Sequence, residues 1–116
     1  MPLIDHLSLG VSNIEEARSF YDGVMSSLGC DCLAAGEGFA TYGQGRVEFL
    51  LLHPFDGGAP TAGNGTHIGF TAPSREAVDA FYKIALSSGG TDEGEPGVRD
   101  AYLSVVRIIG TKSGVN

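Results

Sequence analysis

Basic residues are scarce in this chain. Seven lysines and arginines stand against fourteen aspartates and glutamates over 116 residues, a formal charge of −7. Phosphate backbones are bound by clustered Lys and Arg, so this balance argues against nucleic acid and disfavours anionic membrane surfaces. Small molecules and cationic ligands are the partners such a field admits. Long apolar runs are also missing, and none approaches the roughly 20 residues that span a bilayer. The start, MPLIDHLSLG, shows no basic leader followed by an apolar core, so a cytoplasmic address is expected. Cysteine is rare: Cys30 and Cys32 are spaced too tightly for an ordinary disulfide and do not form a zinc-ribbon pattern. They read as two reduced thiols on a half-buried strand.

Glycine, by contrast, is plentiful at eighteen residues, as in a strand-rich fold with many turns. The length suits a single domain, residues 1–116. Within it the chain repeats. Residues 6–29, HLSLGVSNIEEARSFYDGVMSSLG, align without a gap on residues 67–90, HIGFTAPSREAVDAFYKIALSSGG, with seven identities. His6 meets His67, Glu15 meets Glu76, and Phe20-Tyr21 meets Phe81-Tyr82. Similarity at a fixed offset signals two copies of one supersecondary unit.

Each copy reads as strand then helix. Leu7, Leu9 and Val11 alternate with His6, Ser8 and Gly10, the period-2 pattern of a strand with one buried face. Ser12 and Glu15 are spaced as a capping box. Ile14, Ala17, Phe20, Tyr21, Val24 and Leu28 follow at helical spacing, and Gly29 supplies the stop. In the second copy Pro73-Ser74 starts a helix that Gly89-Gly90 ends. Three strands are expected after the first helix, near 30–35, 38–42 and 46–52, parted by GEG and GQG turns. After the second helix a short strand is expected at 91–93 and a clear one at 101–109. The Gly- and Pro-rich stretch 54–65 reads as a linker between module 1, about 1–53, and module 2, about 66–116. The expected class is α+β: two βαβββ modules forming a curved, incomplete antiparallel barrel with helices outside.

The face of each first strand away from its helix carries His6, Ser8 and Gly10 in one copy and His67, Gly69 and Thr71 in the other. A single histidine in such a place is more often structural or merely exposed. A repeated pair facing across a pseudo-twofold points instead to ligands, since two neutral imidazoles make half of a Zn, Ni, Fe or Mn site. Glu48, among apolar residues in GRVEFLLLHP, is the best third ligand, an exposed edge-strand glutamate being the competing reading. No Asp or Glu follows Asp100.

These segments resemble the two halves of a vicinal oxygen chelate protein, of the glyoxalase, bleomycin-resistance and extradiol dioxygenase superfamily. They are most similar to small bacterial glyoxalase-like members. The resemblance covers residues 3 to about 107 and rests on the Asp-His pair, the Phe-Tyr pairs and HIGF. It implies paired modules, a homodimer and a divalent metal held by first- and last-strand residues. His6 and His67 match the first-strand positions, and the acid of the first module falls on Glu48 or on Leu50 according to register. The family's fourth ligand, a glutamate after an Asp-Pro-Asp-Gly turn, has no counterpart in the tail, so the metal is expected either in an altered site or not at all. Two functions follow. One is a metal-dependent lyase, isomerase or dioxygenase acting on a small substrate with adjacent oxygens, its base left unassigned with Glu48 and Tyr102 as candidates. The other is a bleomycin-resistance-like protein that sequesters a cationic ligand without chemistry.

Overall fold

The structure is a computed structural model and describes residues 3–61 and 68–90 and the strand at 105–108. Its elements run β1 Leu7–Gly10, α1 Ile14–Ser27, β2 Asp31–Ala35, β3 Phe39–Gly43, β4 Phe49–Leu52, β5 Ile68–Thr71, α2 Arg75–Ser87 and β6 Val105–Ile108. The expected α+β class and the two strand–helix units are present. The strand expected at 91–93 lies outside the described residues.

The helix α1 forms where its apolar stripe demands. Ile14, Ala17, Phe20, Tyr21, Val24 and Met25 are all buried, while the intervening Glu15 and Glu16 lie in the first turn, where they complement the helix dipole. Its cap is Asn13, not Ser12: the Asn13 side chain accepts from the Glu16 amide at 2.8 Å. The capping box expected of Ser12 and Glu15 is thus displaced by one residue. Asparagine is as strong a cap as serine, and Val11, two residues before it, is fully buried. Gly29 then takes φ +78°. Its amide bonds the Ser26 carbonyl and that of Cys30 bonds Met25, each at 3.0 Å, the double closure of a left-handed helix stop.

The second helix repeats this grammar. Ser74 accepts from Ala77 N at 3.1 Å, and Gly89 and Gly90 return their amides to Leu86 and Ala85. The offset between copies is 61 at the two caps and 60 at the two stops, so α2 is one residue shorter. The helices pack side by side. A Cβ on Gly23 would come within 2.9 Å of Ile84 Cγ2, so the missing side chain is what admits the second helix.

The first module's strands form one sheet in the order β1-β4-β3-β2, which is open and not closed into a barrel. The antiparallel expectation needs one correction: β1 and β4 run parallel, Leu7 beside Phe49 and Gly10 beside Leu52. The reason is directional. A helix returns the chain to its starting direction in β2, and two hairpins reverse it twice more, so β4 must run as β1 does. Strands β3 and β2 continue antiparallel, with a bulge between Cys32 and Ala34. In the second module β5 pairs antiparallel with β6, Ile68 opposite Ile108.

The core lies between one face of this sheet and the two helices. Phe49 is its junction, with ring centroids 5.4 Å from Tyr21, 6.2 Å from Tyr42 and 5.2 Å from Phe70. Tyr42 is buried yet sends its hydroxyl to Asp22 Oδ1 at 2.6 Å, and Arg18 grips the same carboxylate. Tyr21 has no such partner. Its hydroxyl is fully buried and makes no hydrogen bond among the described residues. Burial alone pushes its ionisation well above the ordinary tyrosine range. Tyr21→Phe is therefore expected to leave stability unchanged or raise it by up to about 1 kcal/mol, because it deletes an unsatisfied polar group without opening a cavity. Urea denaturation checks this, and a loss above about 1 kcal/mol would show that the hydroxyl is bonded after all.

Candidate functional site

The parallel pairing of β1 with β4 decides what stands together. Leu7 N donates to Glu48 O at 3.0 Å, so in the same register His6 precedes Leu7 as Glu48 precedes Phe49. Each residue lies one place before its strand, and both are exposed. The sequence pattern puts Glu48 within the third strand after α1, but pairing begins only at Phe49. Since Leu7, Leu9, Phe49 and Leu51 pack toward the core, alternation carries Ser8 and Gly10, with Leu50 and Leu52, to the face that no helix covers among the described residues, and His6 and Glu48 stand one residue beyond its end.

That open face is graded. The His6 and Glu48 row supplies an imidazole and a carboxylate. The next row places Ser8, Leu50 and Thr41 side by side, and the third aligns Gly10, Leu52 and Phe39. Two-residue steps along a strand make the three rows span about 13 Å. Phe39 remains 39% exposed, a large apolar surface at the end away from the donors. Over Gly10 lies the segment that follows β4: a Cβ there would stand 3.3 Å from Pro54 and 3.6 Å from Pro60.

The donor end is braced by two residues that sequence reasoning did not join. His6 Nδ1 bonds Asp5 Oδ1 at 2.9 Å. Arg46, in the turn before β4, donates from one terminal nitrogen to Asp5 Oδ2 at 3.1 Å and from the other to the Asp5 carbonyl at 3.2 Å. The bond from His6, and then those from Arg46, hold the Asp5 carboxyl below its usual range. Asp5 and Arg46 are 41 residues apart, so only the fold could reveal the contact.

These residues suit a divalent ion in type. The His6 ring has one nitrogen engaged and the other open, and the Glu48 carboxylate makes no hydrogen bond or ion pair among the described residues. Among the described residues, however, no three His, Cys, Asp or Glu side chains converge as a metal site. His67, the third candidate, lies outside the described residues, as does Tyr102. Cys30 and Cys32 are free thiols, half-buried as expected, and burial followed by the nearby Glu48 charge raises the Cys30 ionisation.

A separate open cleft of about 670 Å³ lies between the start of α1 and the β2–β3 turn, lined by Asn13, Arg18, Asp22, Glu37 and His53 among others. Its polar groups are largely engaged already. Asn13 caps the helix, Arg18 pairs with Asp22, and His53 Nδ1 meets the Val11 carbonyl at 3.2 Å. The donors of the open face are not part of it. Among the described residues no helix is long and apolar enough to cross a membrane.

Comparison with known proteins agrees with this architecture. Residues 3–115 match the family described as Glyoxalase/Bleomycin resistance protein/Dioxygenase superfamily. A crystal structure of a glyoxalase/bleomycin resistance protein from Albidiferax ferrireducens T118 superposes with a TM-score of 0.79 at 32% identity, covering 90% of this chain and 85% of that one. No curated protein matches the sequence.

Proposed function

The chain belongs to the glyoxalase/bleomycin resistance protein/dioxygenase superfamily, and from that premise we propose that it is a metal-dependent protein acting on a small substrate with adjacent oxygens. His6, Glu48 and His67 would hold the ion. The observation that supports this reading is the backbone adjacency of the His6 and Glu48 positions, which the parallel β1–β4 pairing sets at one end of a sheet face that no described helix covers. Three protein donors of this kind leave a coordination position open, as catalytic rather than purely structural sites do. A divalent ion so held supplies Lewis acidity toward two neighbouring oxygens of a bound substrate.

The chain's own residues define the rest. The polarity gradient of the open face suits a substrate with its oxygens at one end and an apolar body about 10 Å long. Leu50, Leu52 and Phe39 would receive that body. The reaction class is a lyase, isomerase or dioxygenase type. A homodimer and a cytoplasmic setting complete the proposal.

A second reading has its own support. The exposed Phe39 on an open apolar face, in a chain of charge −7, fits sequestration of a cationic aromatic ligand without chemistry. Elemental analysis of the purified protein separates the two. Stoichiometric Zn, Ni, Fe or Mn is expected, lost in both His6→Ala and His67→Ala and weakened in Glu48→Gln. A metal-free protein that nonetheless binds a basic glycopeptide antibiotic would sink the metal reading and leave sequestration standing.

A further inference from the structure

The contacts around Asp5 add a feature that the ligand set alone does not contain. We infer that Asp5, clamped by Arg46, is a positioning residue that keeps the His6 ring proton on Nδ1 and thereby reserves Nε2 as the donor atom. An ionised carboxylate only accepts hydrogen bonds, so the 2.9 Å contact between Asp5 Oδ1 and His6 Nδ1 requires the proton on Nδ1. In the neutral ring the lone pair then resides on Nε2. An unbraced histidine favours the opposite tautomer, so the brace reverses the intrinsic preference.

Arg46 makes the brace rigid. It reaches Asp5 twice, at the carboxylate and at the backbone carbonyl, and so fixes both the side chain and the chain direction just before β1. The guanidinium's planar fork suits this double contact, which a lysine could not reproduce. Stability is not what the arrangement serves. The side chains of Asp5, His6 and Arg46 are 76%, 58% and 49% exposed, and ion pairs so exposed contribute little to folding. Orientation of an imidazole by a carboxylate on its other nitrogen is instead what tunes a histidine for metal binding, and its loss typically lowers affinity by about 10–100-fold.

The purpose assigned to the brace rests on the metal reading above, but the tautomer does not, and the experiment keeps them apart. Ring-nitrogen NMR of the metal-free, ¹⁵N-histidine-labelled protein is recorded at about pH 8.5, above the ordinary histidine range. Signals are assigned with His6→Ala and His53→Gln. His6 is expected as the Nδ1–H form, reverting to Nε2–H in Asp5→Ala and partly so in Arg46→Met. Titration with Ni²⁺ alone should show about 10–100-fold weaker binding in Asp5→Ala and several-fold weaker binding in Arg46→Met. The melting temperature should barely move. An Nε2–H form in the wild type, or a tautomer unaffected by Asp5→Ala, overturns the inference. So does Ni²⁺ binding that Asp5→Ala leaves unchanged. If the wild type binds no metal yet shows the Asp5-dependent tautomer, the metal reading fails while the positioning by Asp5 stands.

Discussion

Alanine at Phe49 is expected to lower folding stability by about 3–5 kcal/mol. Domains of this size hold only about 5–15 kcal/mol in total, so one substitution would remove a large share. The reason is where the ring sits. It is 3% exposed and touches Tyr21 of α1, Tyr42 of β3 and Phe70 of β5, so a cavity there opens between three elements that cannot all collapse inward. The near-perpendicular contact with Phe70, at 84°, adds an edge-to-face attraction and ties the second module to the first. Urea denaturation followed by circular dichroism reads the loss directly. Phe49→Leu keeps most of the volume and should lose less than half as much. A loss below about 1 kcal/mol in Phe49→Ala would mean that this junction does not bear on stability as described. On the metal-dependent function proposed above, in which Glu48 and His67 are ligands, the same variant should also weaken metal binding, since Glu48 precedes Phe49 and His67 lies three residues before Phe70.

Gly43→Ala is expected to follow, at roughly 2–3 kcal/mol. Gly43 ends β3, and a Cβ there would collide with the backbone carbonyl oxygen of Arg46, which no side-chain rotation relieves. The turn is closed by Glu48 N donating to Tyr42 O at 2.9 Å, so opening it displaces both Arg46 and Glu48. The variant should therefore lose the Arg46–Asp5 contact as well as stability. Gly45 in the same turn is the control. It has φ +76°, but a Cβ added there would meet no atom within 4 Å, so Gly45→Ala carries only the left-handed strain of about 1 kcal/mol. Equal losses in the two variants would show that the collision at Gly43 is relieved locally and that the turn does not depend on it.

Much of the local structure is legible in the residues. The stripe from Ile14 to Leu28 declares α1, the matching stripe declares α2, and the glycine stops fall where the periodicity ends. Even the parallel direction of β4 follows from counting chain reversals, a step that the antiparallel expectation passes over. The helix cap falls one residue later than the pattern indicates because Ser12 and Asn13 are both competent acceptors. The structure selects Asn13, whose side chain accepts from the Glu16 amide.

The candidate site is legible in kind but not in arrangement. His6 and Glu48 stand out by type and by repetition, yet nothing in the order of residues sets them in one row. That comes from the β1–β4 register, a pairing of segments 42 residues apart that minimises exposed apolar surface over the whole sheet. The Asp5–Arg46 clamp, the Tyr21 hydroxyl that is unpaired among the described residues, and the Gly23–Ile84 approach are likewise absent from any local pattern. The sequence by itself determined the repeated strand–helix units, their glycine stops, and the residues with metal-binding chemistry, because propensity and hydrophobic period act over neighbours. Only the tertiary structure decided which side chains share a face and which contacts brace them, because those depend on packing between segments far apart in the chain.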